Sequence, residues 1–363
     1  MTKSCDVLVL GGGPAGILAA LLASSTRQVI LAEKPAKEFK LGRRILVSGN
    51  GRANFFNADL LKEPNAKALL SYLKNDCGFL YTTEGSLYYP FFNRSECLQE
   101  ALMAKLKESK VTVLQAKALK VDCQKQEVLL EEANKKPLTL AYHDLVLATG
   151  GRSYDRDDFS YELLDSLGVS YLPFSPCLCP IKTCEPIPAY LNHNRLRGLV
   201  TLKNGNQVAY QEEGEVLFKD DGLSGIAVFN ASLVINQIRR TQEKAPLTLT
   251  LDYLSGLKDV KNADTYLPSV PLFLRRYLDE FHLAFGTPLT FTFKALYPFK
   301  ESQVSYGGIL DSQLIPGTLA LAKAPTLQVV GEIRDQTYRC GGYNMGHSLL
   351  DGYQAGKALE GKL

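Results

Sequence analysis

Hydrophobic and polar positions along this chain fall into blocks whose period changes several times. Cys5-Asp6-Val7-Leu8-Val9-Leu10 is an almost unbroken apolar run, the pattern of a strand buried on both faces. Gly11-Gly12-Gly13-Pro14-Ala15-Gly16 follows, then the Ala-rich stretch Ile17 to Ser24, which predicts a helix. A second strand, Gln28 to Ala32, ends in Glu33. Helices are expected over Asn65 to Lys74 and Ser95 to Ser109, the latter with Ser95 as N-cap and Leu98, Leu102 and Leu106 on one face. Val111 to Lys120, Glu127 to Glu131 and Pro137 to Ala141 alternate as a small antiparallel meander. Asp144 to Ala148 is again strand-like and runs into Thr149-Gly150-Gly151, and Leu327 to Val330 runs into Gly331-Glu332 in the same way.

The middle of the chain has a different texture. Short strands at Leu199 to Leu202, Gln207 to Tyr210 and Glu215 to Phe218 precede a helix over Gly225 to Arg240, a spacing that suggests a small barrel or sandwich. Leu254 to Phe285 reads as short helices, and Leu289 to Leu296 returns to strand. The expected architecture is α/β: a Rossmann-like domain from both chain ends (1–178 and 323–363), an inserted β-barrel-like domain (179–251 and 288–322), and a small helical insertion within it (252–287).

Strand, glycines, helix, strand and acid in this order form a dinucleotide fingerprint. Gly11 suits the tight turn, Gly13 lets backbone approach a pyrophosphate, and Gly16 lets helix pack closely on strand. Pro14 and Ala15 begin a helix whose free N–H groups face the phosphates. Glu33, about twenty residues past the second glycine, is placed to hold a ribose hydroxyl, with Lys34 beside it. The later glycine turns, Thr149-Gly150-Gly151 and Gly331-Glu332, follow strands in the manner of ligand-binding edges.

Length and composition narrow the class. A chain of 363 residues exceeds what one core usually serves. A net charge of +3 without a basic run gives no nucleic-acid stripe, and the first apolar run is too short for a signal peptide or membrane span. A cytoplasmic protein without nucleic-acid or membrane partners is expected. The eight cysteines show no CxxC spacing, so neither a metal site nor a dithiol redox motif is expected. Cys177 and Cys179 would share one face of a strand as reduced, buried thiols.

Four segments resemble a family of bacterial flavoproteins, the aminoacetone-oxidase-like family. They are GGGPAG at Gly11 to Gly16, GRRILVSGNGRAN at Gly42 to Asn54, LATGGRSY at Leu147 to Tyr154, and GEIRDQTYRCGGYNMGHSLLDGYQAG at Gly331 to Gly356. GLSG at Gly222 to Gly225 and QVSYGGI at Gln303 to Ile309 agree as well. The resemblance covers almost the whole chain. It implies FAD rather than NAD as the bound dinucleotide, in a three-domain architecture. The chain departs from the family at Ala53, where a cysteine is usual, at Asp155 to Phe159, where a glycine-rich stretch is usual, and at Asp220, where a histidine is frequent.

The cofactor calls for residues that hold it, exclude water and stabilise charge on the reduced ring. Arg44, Ser48, Asn50, Arg52 and Asn54 would lie along the flavin or its phosphates, with Gly49 and Gly51 approaching through backbone; Arg52 has a surface salt bridge as its alternative. Ala118 would meet adenine through its backbone. Gly341, Gly342, Tyr343 and Asn344 precede a helix expected over Met345 to Lys357, with Asn344 as N-cap, whose N-terminus would favour negative charge. No catalytic base stands out: His347 reads as a packing or capping residue ahead of a catalytic one, Tyr306 and Tyr343 read equally as pocket or core, and Cys340 has no partner cysteine nearby. The expected activity is an FAD-dependent oxidoreductase acting on a small organic substrate, either an amine or aminoketone oxidase using oxygen or an NAD(P)H-dependent reductase of an unsaturated or carbonyl compound. A flavin-binding sensor without turnover is the reading from another class.

Overall fold

A computed structural model describes residues 3–154, 161–241, 245–257 and 263–361. The altered segment Asp155 to Phe159 lies outside the described residues. Two compact units emerge, the first from 1–152, 157–174 and 307–363, the second from 153–156 and 175–306. The long middle segment of the second unit runs from 175 to 306, so both of its ends come earlier in the chain than the expected boundaries at 178/179 and 322/323. Leu254 to Phe285, expected as a separate insertion, falls within the second unit.

The first unit is a Rossmann-type sheet. Its parallel strands lie in the spatial order Ala324–Val329, Pro137–Leu147, Lys3–Leu10, Val29–Glu33, Thr112–Asp122. Two of them leave the sheet part-way. Thr112–Asp122 pairs with Val29–Glu33 as far as Gln115 and from Ala116 onward with Glu127–Glu132. Glu127–Glu132 pairs in turn with the first half of Pro137–Leu147. The two strands expected at Pro137 to Ala141 and Asp144 to Ala148 are thus one, because a long strand can serve the meander at one end and the parallel sheet at the other.

The helix Pro14–Ala23 is buried at every position. The sheet covers one side and the C-terminal helix Tyr343–Glu360 the other. That contact is close because Gly352 and Gly356 face it: a Cβ at Gly352 would sit 2.2 Å from Ala15 O, and one at Gly356 2.6 Å from Leu22 Cβ. Small residues on both helices let the backbones approach where larger side chains would hold them apart.

The second unit contains a closed six-stranded barrel, in the order Ile181–Thr183, Gly222–Ser224, Gln207–Lys219, Arg195–Asn204, Leu247–Asp252 and Leu289–Leu296, with the last strand returning to the first. Strands expected as short pieces are long here, and Gln207–Lys219 absorbs two of them. Leu202, Phe218, Leu249, Leu251 and Phe291 alternate inward and fill the barrel. The helix Ile226–Arg240 packs on it through Ala227, Val228, Ala231 and Ile235.

Several local expectations change. Residues 43–46 form a short helix, with Gly42 in the left-handed region (φ 70) starting the turn there. Ser95 is the first helical residue after the cap Arg94, and its hydroxyl donates to Leu46 O at 2.9 Å instead of capping. The strand containing Cys177 ends at that residue, so Cys179 does not share its face; all eight cysteines are free thiols. Burial pushes the Cys179 thiol up to about 12, so it stays protonated at neutral pH.

Candidate functional site

The glycine turns converge on one edge of the first unit's sheet. Leu10 pairs with Ala32 and with Leu147, and Val329 pairs with Leu147. Gly11, Thr149-Gly150-Gly151 and Gly331 come just after these strands and Glu33 ends one, so parallel pairing brings segments 320 residues apart to the same carboxyl edge.

The fingerprint glycines differ in what a side chain would meet. A Cβ at Gly11 (φ 110) would lie 2.3 Å from Ala148 O, and one at Gly16 only 1.9 Å from Gly11 O. A Cβ at Gly13 would meet nothing within 4 Å. Gly11 and Gly16 are therefore demanded by the fold, whereas the space beside Gly13 is open to a ligand at the start of a helix. Glu33 is tied to the same turn, accepting from Gly12 N at 2.6 Å.

The second motif docks on the first, with Gly42 N donating to Gly12 O at 2.7 Å. Gly49, Asn50 and Gly51 are all left-handed (φ 54, 53 and 83), and Ala53 is too (φ 50). At the two non-glycine positions, Asn50 and Ala53, this conformation costs energy that is usually spent at functional loops. A Cβ at Gly51, as at Gly13, would meet nothing within 4 Å. Ala53 is fully buried. Ser48 donates to Ile45 O at 2.6 Å. Arg52 takes its salt-bridge alternative: it donates to Glu84 at 2.6 Å and Asn93 at 2.9 Å, and its guanidinium lies 4.3 Å from the Tyr89 ring centre. Arg44 is half-buried on the short helix, and Ala118 faces Leu130 beside a bulge.

The C-terminal helix starts earlier than expected. Gly342 (φ 85) is its cap and Tyr343 its first residue, so Asn344 is not the N-cap. Its amide instead accepts from Tyr338 N at 3.0 Å and donates to Tyr338 O at 2.8 Å, clamping the preceding turn. The cap is seated on the second motif. The Asn54 amide, with its nitrogen toward Phe56 O and Tyr88 O, accepts from Gly342 N at 3.3 Å. Asn57 donates to Gly341 O at 2.8 Å, and Tyr343 bonds Asp59 and Arg339. Since Gly352 abuts Ala15, the helix begins nine residues beyond that point, about 14 Å at 1.5 Å per residue.

Other residues at this edge were not anticipated. Arg334 is buried and bonds both oxygens of Asp351 at 2.9 Å, while its other nitrogens bond Asp311 at 3.1 and 3.2 Å. Burial opposes the charge on Arg334, but the two carboxylates outweigh it and hold the group above its ordinary pKa. Asp351 also accepts from Gly331 N at 2.9 Å, which fixes the Gly331-Glu332 turn on the helix. The signal was in the sequence: Asp351 interrupts the apolar face of Leu349, Leu350 and Tyr353. His347 stacks on Tyr338, ring centres 3.8 Å apart and planes at 7°, and burial lowers its pKa. In the second unit, Asp220 accepts from Asn192 at the surface.

The HI0933-like protein Rossmann domain family matches residues 59–358. The chain belongs to this HI0933-like family. It is 26% identical over 410 residues to a 3-dehydro-bile acid delta(4,6)-reductase of Clostridium scindens, covering 96% of this chain and 98% of that one. It is 26% identical over 391 residues to a ribosomal RNA dihydrouridine synthase of Escherichia coli, covering 93% and 94%. Among solved structures, 3-ketosteroid delta1-dehydrogenase from Sterolibacterium denitrificans superposes with a TM-score of 0.56 at 12% identity, covering 99% of this chain and 100% of that one. The chain is accordingly an FAD-dependent oxidoreductase. Among the described residues no group of three or more His, Cys, Asp and Glu could hold a metal ion, and no helix is long and apolar enough to cross a membrane.

Proposed function

We propose that this protein reduces a carbon–carbon double bond conjugated to a carbonyl group in a small organic molecule. The observation that carries this reading is that two relatives matched over nearly their full lengths are both named for such reductions, one of a 3-oxo steroid unsaturated at positions 4 and 6, the other of the uracil ring. When bound, FAD supplies the hydride. In this reading Gly13 and the helix start at Pro14, Ala15 and Gly16 take the pyrophosphate, and Glu33 with Lys34 takes the adenosine ribose, near Ala118. Thr149, Gly150, Gly151, Gly331 and Glu332 line the cofactor between its two ends. Arg44, Ser48 and the left-handed loop Gly49 to Asn54 lie along the flavin. Gly341, Gly342, Tyr343 and Asn344 hold the start of the C-terminal helix toward it, where the dipole favours negative charge on the reduced ring. The position of that helix's start, about 14 Å along the axis from its contact with Ala15, supports this order, because one dinucleotide must reach from the glycine turn to the flavin end.

A uracil base within RNA is the second reading of the same chemistry, favoured by the dihydrouridine synthase relative. The amine or aminoketone oxidase reading finds no counterpart in either relative's name. The test is to reduce the bound flavin anaerobically and time its reoxidation by a conjugated enone, by a uridine-containing RNA, or by air. Rapid discharge by the enone and slow reaction with air are expected, with NAD(P)H as the reductant that restores the flavin. Rapid reaction with air together with flavin reduction by aminoacetone would replace the reductase reading with the oxidase one.

A further inference from the structure

We propose that the groove between the helix Ser95–Glu108 and the start of the strand Thr112–Asp122 is a second ligand site, for a medium-chain fatty carboxylate. Its volume is about 540 Å³, inside the range of about 300–1,000 Å³ typical of small-molecule sites. Its apolar wall comes from Phe39, Leu41, Met103, Leu106, Val111 and Val113. None of the residues proposed for FAD lines it, although the groove lies in the same unit and Leu41 of its wall backs onto Gly12 of the glycine turn. The site also stands independently of the reductase reading.

The sheet topology explains why the groove is open. Thr112–Asp122 has the strand Val29–Glu33 on one side over Thr112 to Gln115, but its other neighbour, Glu127–Glu132, begins only opposite Ala116. The first residues of the strand are therefore an edge, and Val113 is 39% exposed there. Met103, unbranched and adaptable, faces the same space from the helix.

The polar groups at the groove define the ligand. Gln99 already donates to Leu41 O at 2.8 Å, and Ser109 to Leu106 O at 2.7 Å, so their best donors are occupied. What is left is cationic. Lys40 and Lys107 line the groove, and among the described residues neither has an acidic partner within 4.0 Å. An apolar wall with committed amides and hydroxyls, and two unpaired ammonium groups, matches a molecule whose polarity is confined to one anionic head. A fatty carboxylate has that distribution: its chain covers Val113 and Met103, and its head meets Lys40 and Lys107.

Calorimetric titration of the FAD-loaded protein with decanoate tests the assignment. Saturable one-site binding is expected, with decanol and the Lys40→Glu/Lys107→Glu double variant each binding about tenfold more weakly, the scale of one charge-assisted contact. Met103→Trp, which fills the groove, is expected to abolish binding while the flavin absorbance of the protein stays unchanged. If that variant loses its flavin or fails to fold, the charge-reversed pair on exposed lysines carries the test alone. The proposal is overturned if wild-type protein binds no decanoate, if decanol binds as tightly, if charge reversal changes nothing, or if binding appears only after FAD is removed.

Discussion

Two positions at the cofactor edge separate what a residue does for the fold from what it does for a ligand. Gly13 has extended backbone (φ −80, ψ 179) and open space where a Cβ would stand, so Gly13→Val is expected to fold normally. FAD affinity should nonetheless fall by at least about tenfold, because the branched side chain occupies the space proposed for the pyrophosphate. Equilibrium dialysis against FAD, with circular dichroism as the folding control, checks both halves. Unchanged affinity would remove the pyrophosphate from Gly13. His347 tests the other kind of role. Burial lowers its pKa below the ordinary 6.5, so the folded state resists taking up a proton that the unfolded chain accepts. The sign follows: this contribution to stability is intact above 6.5 and is lost as pH falls through the lower folded-state pKa. The wild-type melting temperature should therefore drop more than that of His347→Gln between about pH 7.5 and about pH 5.5. Parallel pH profiles would show that His347 does not titrate with unfolding.

At the scale of elements, the C-terminal helix is the part of the first unit on which most of the site depends. Its middle packs on Pro14–Ala23 through glycines, its start is seated on Asn54 and Asn57, and Asp351 ties it to the Gly331-Glu332 turn. Asp351→Asn is expected to lower unfolding free energy toward the lower end of the about 3–5 kcal/mol seen when a buried ion pair loses one partner. The lower end applies because Asp311 still faces Arg334. The amide can no longer accept in the same way from Arg334 and Gly331 together, so FAD should also dissociate faster. Urea unfolding monitored by far-ultraviolet circular dichroism, with flavin fluorescence for release, measures the two effects. A loss of stability without faster release would separate the ion pair from the cofactor turn.

For the whole molecule, the decisive property is that the edge proposed for the dinucleotide is built from both chain ends. FAD should raise the melting temperature through mass action, by about 2.7 kcal/mol of stability at a hundredfold excess over its dissociation constant. FMN, which lacks the adenosine that Glu33 is proposed to hold, should give far less at equal concentration. Scanning calorimetry with each flavin checks this, and equal stabilisation by both would show that the adenosine half goes unrecognised.

The sequence by itself determined the α/β class, the dinucleotide turn, the build from both ends and the barrel-like middle. Those features rest on local signals: apolar runs, glycine-rich turns directly after strands, and alternation along strands. Gly11 and Gly16 were legible because their partners lie at neighbouring strand ends or within the turn itself. The C-terminal helix was visible as an element, but its cap was not, since Gly342 is set by Asn54 and Phe56 from the other end of the chain. Tertiary structure alone decided that Asn344 clamps Tyr338, that Ser95 bonds Leu46 and that Arg52 pairs with Glu84. It also decided the Arg334–Asp351 pair and the open edge at Val113. In each case a polar or apolar side chain had a local option suggested by sequence spacing. A partner distant in sequence, brought close by strand order and helix packing, provided the contact it makes instead.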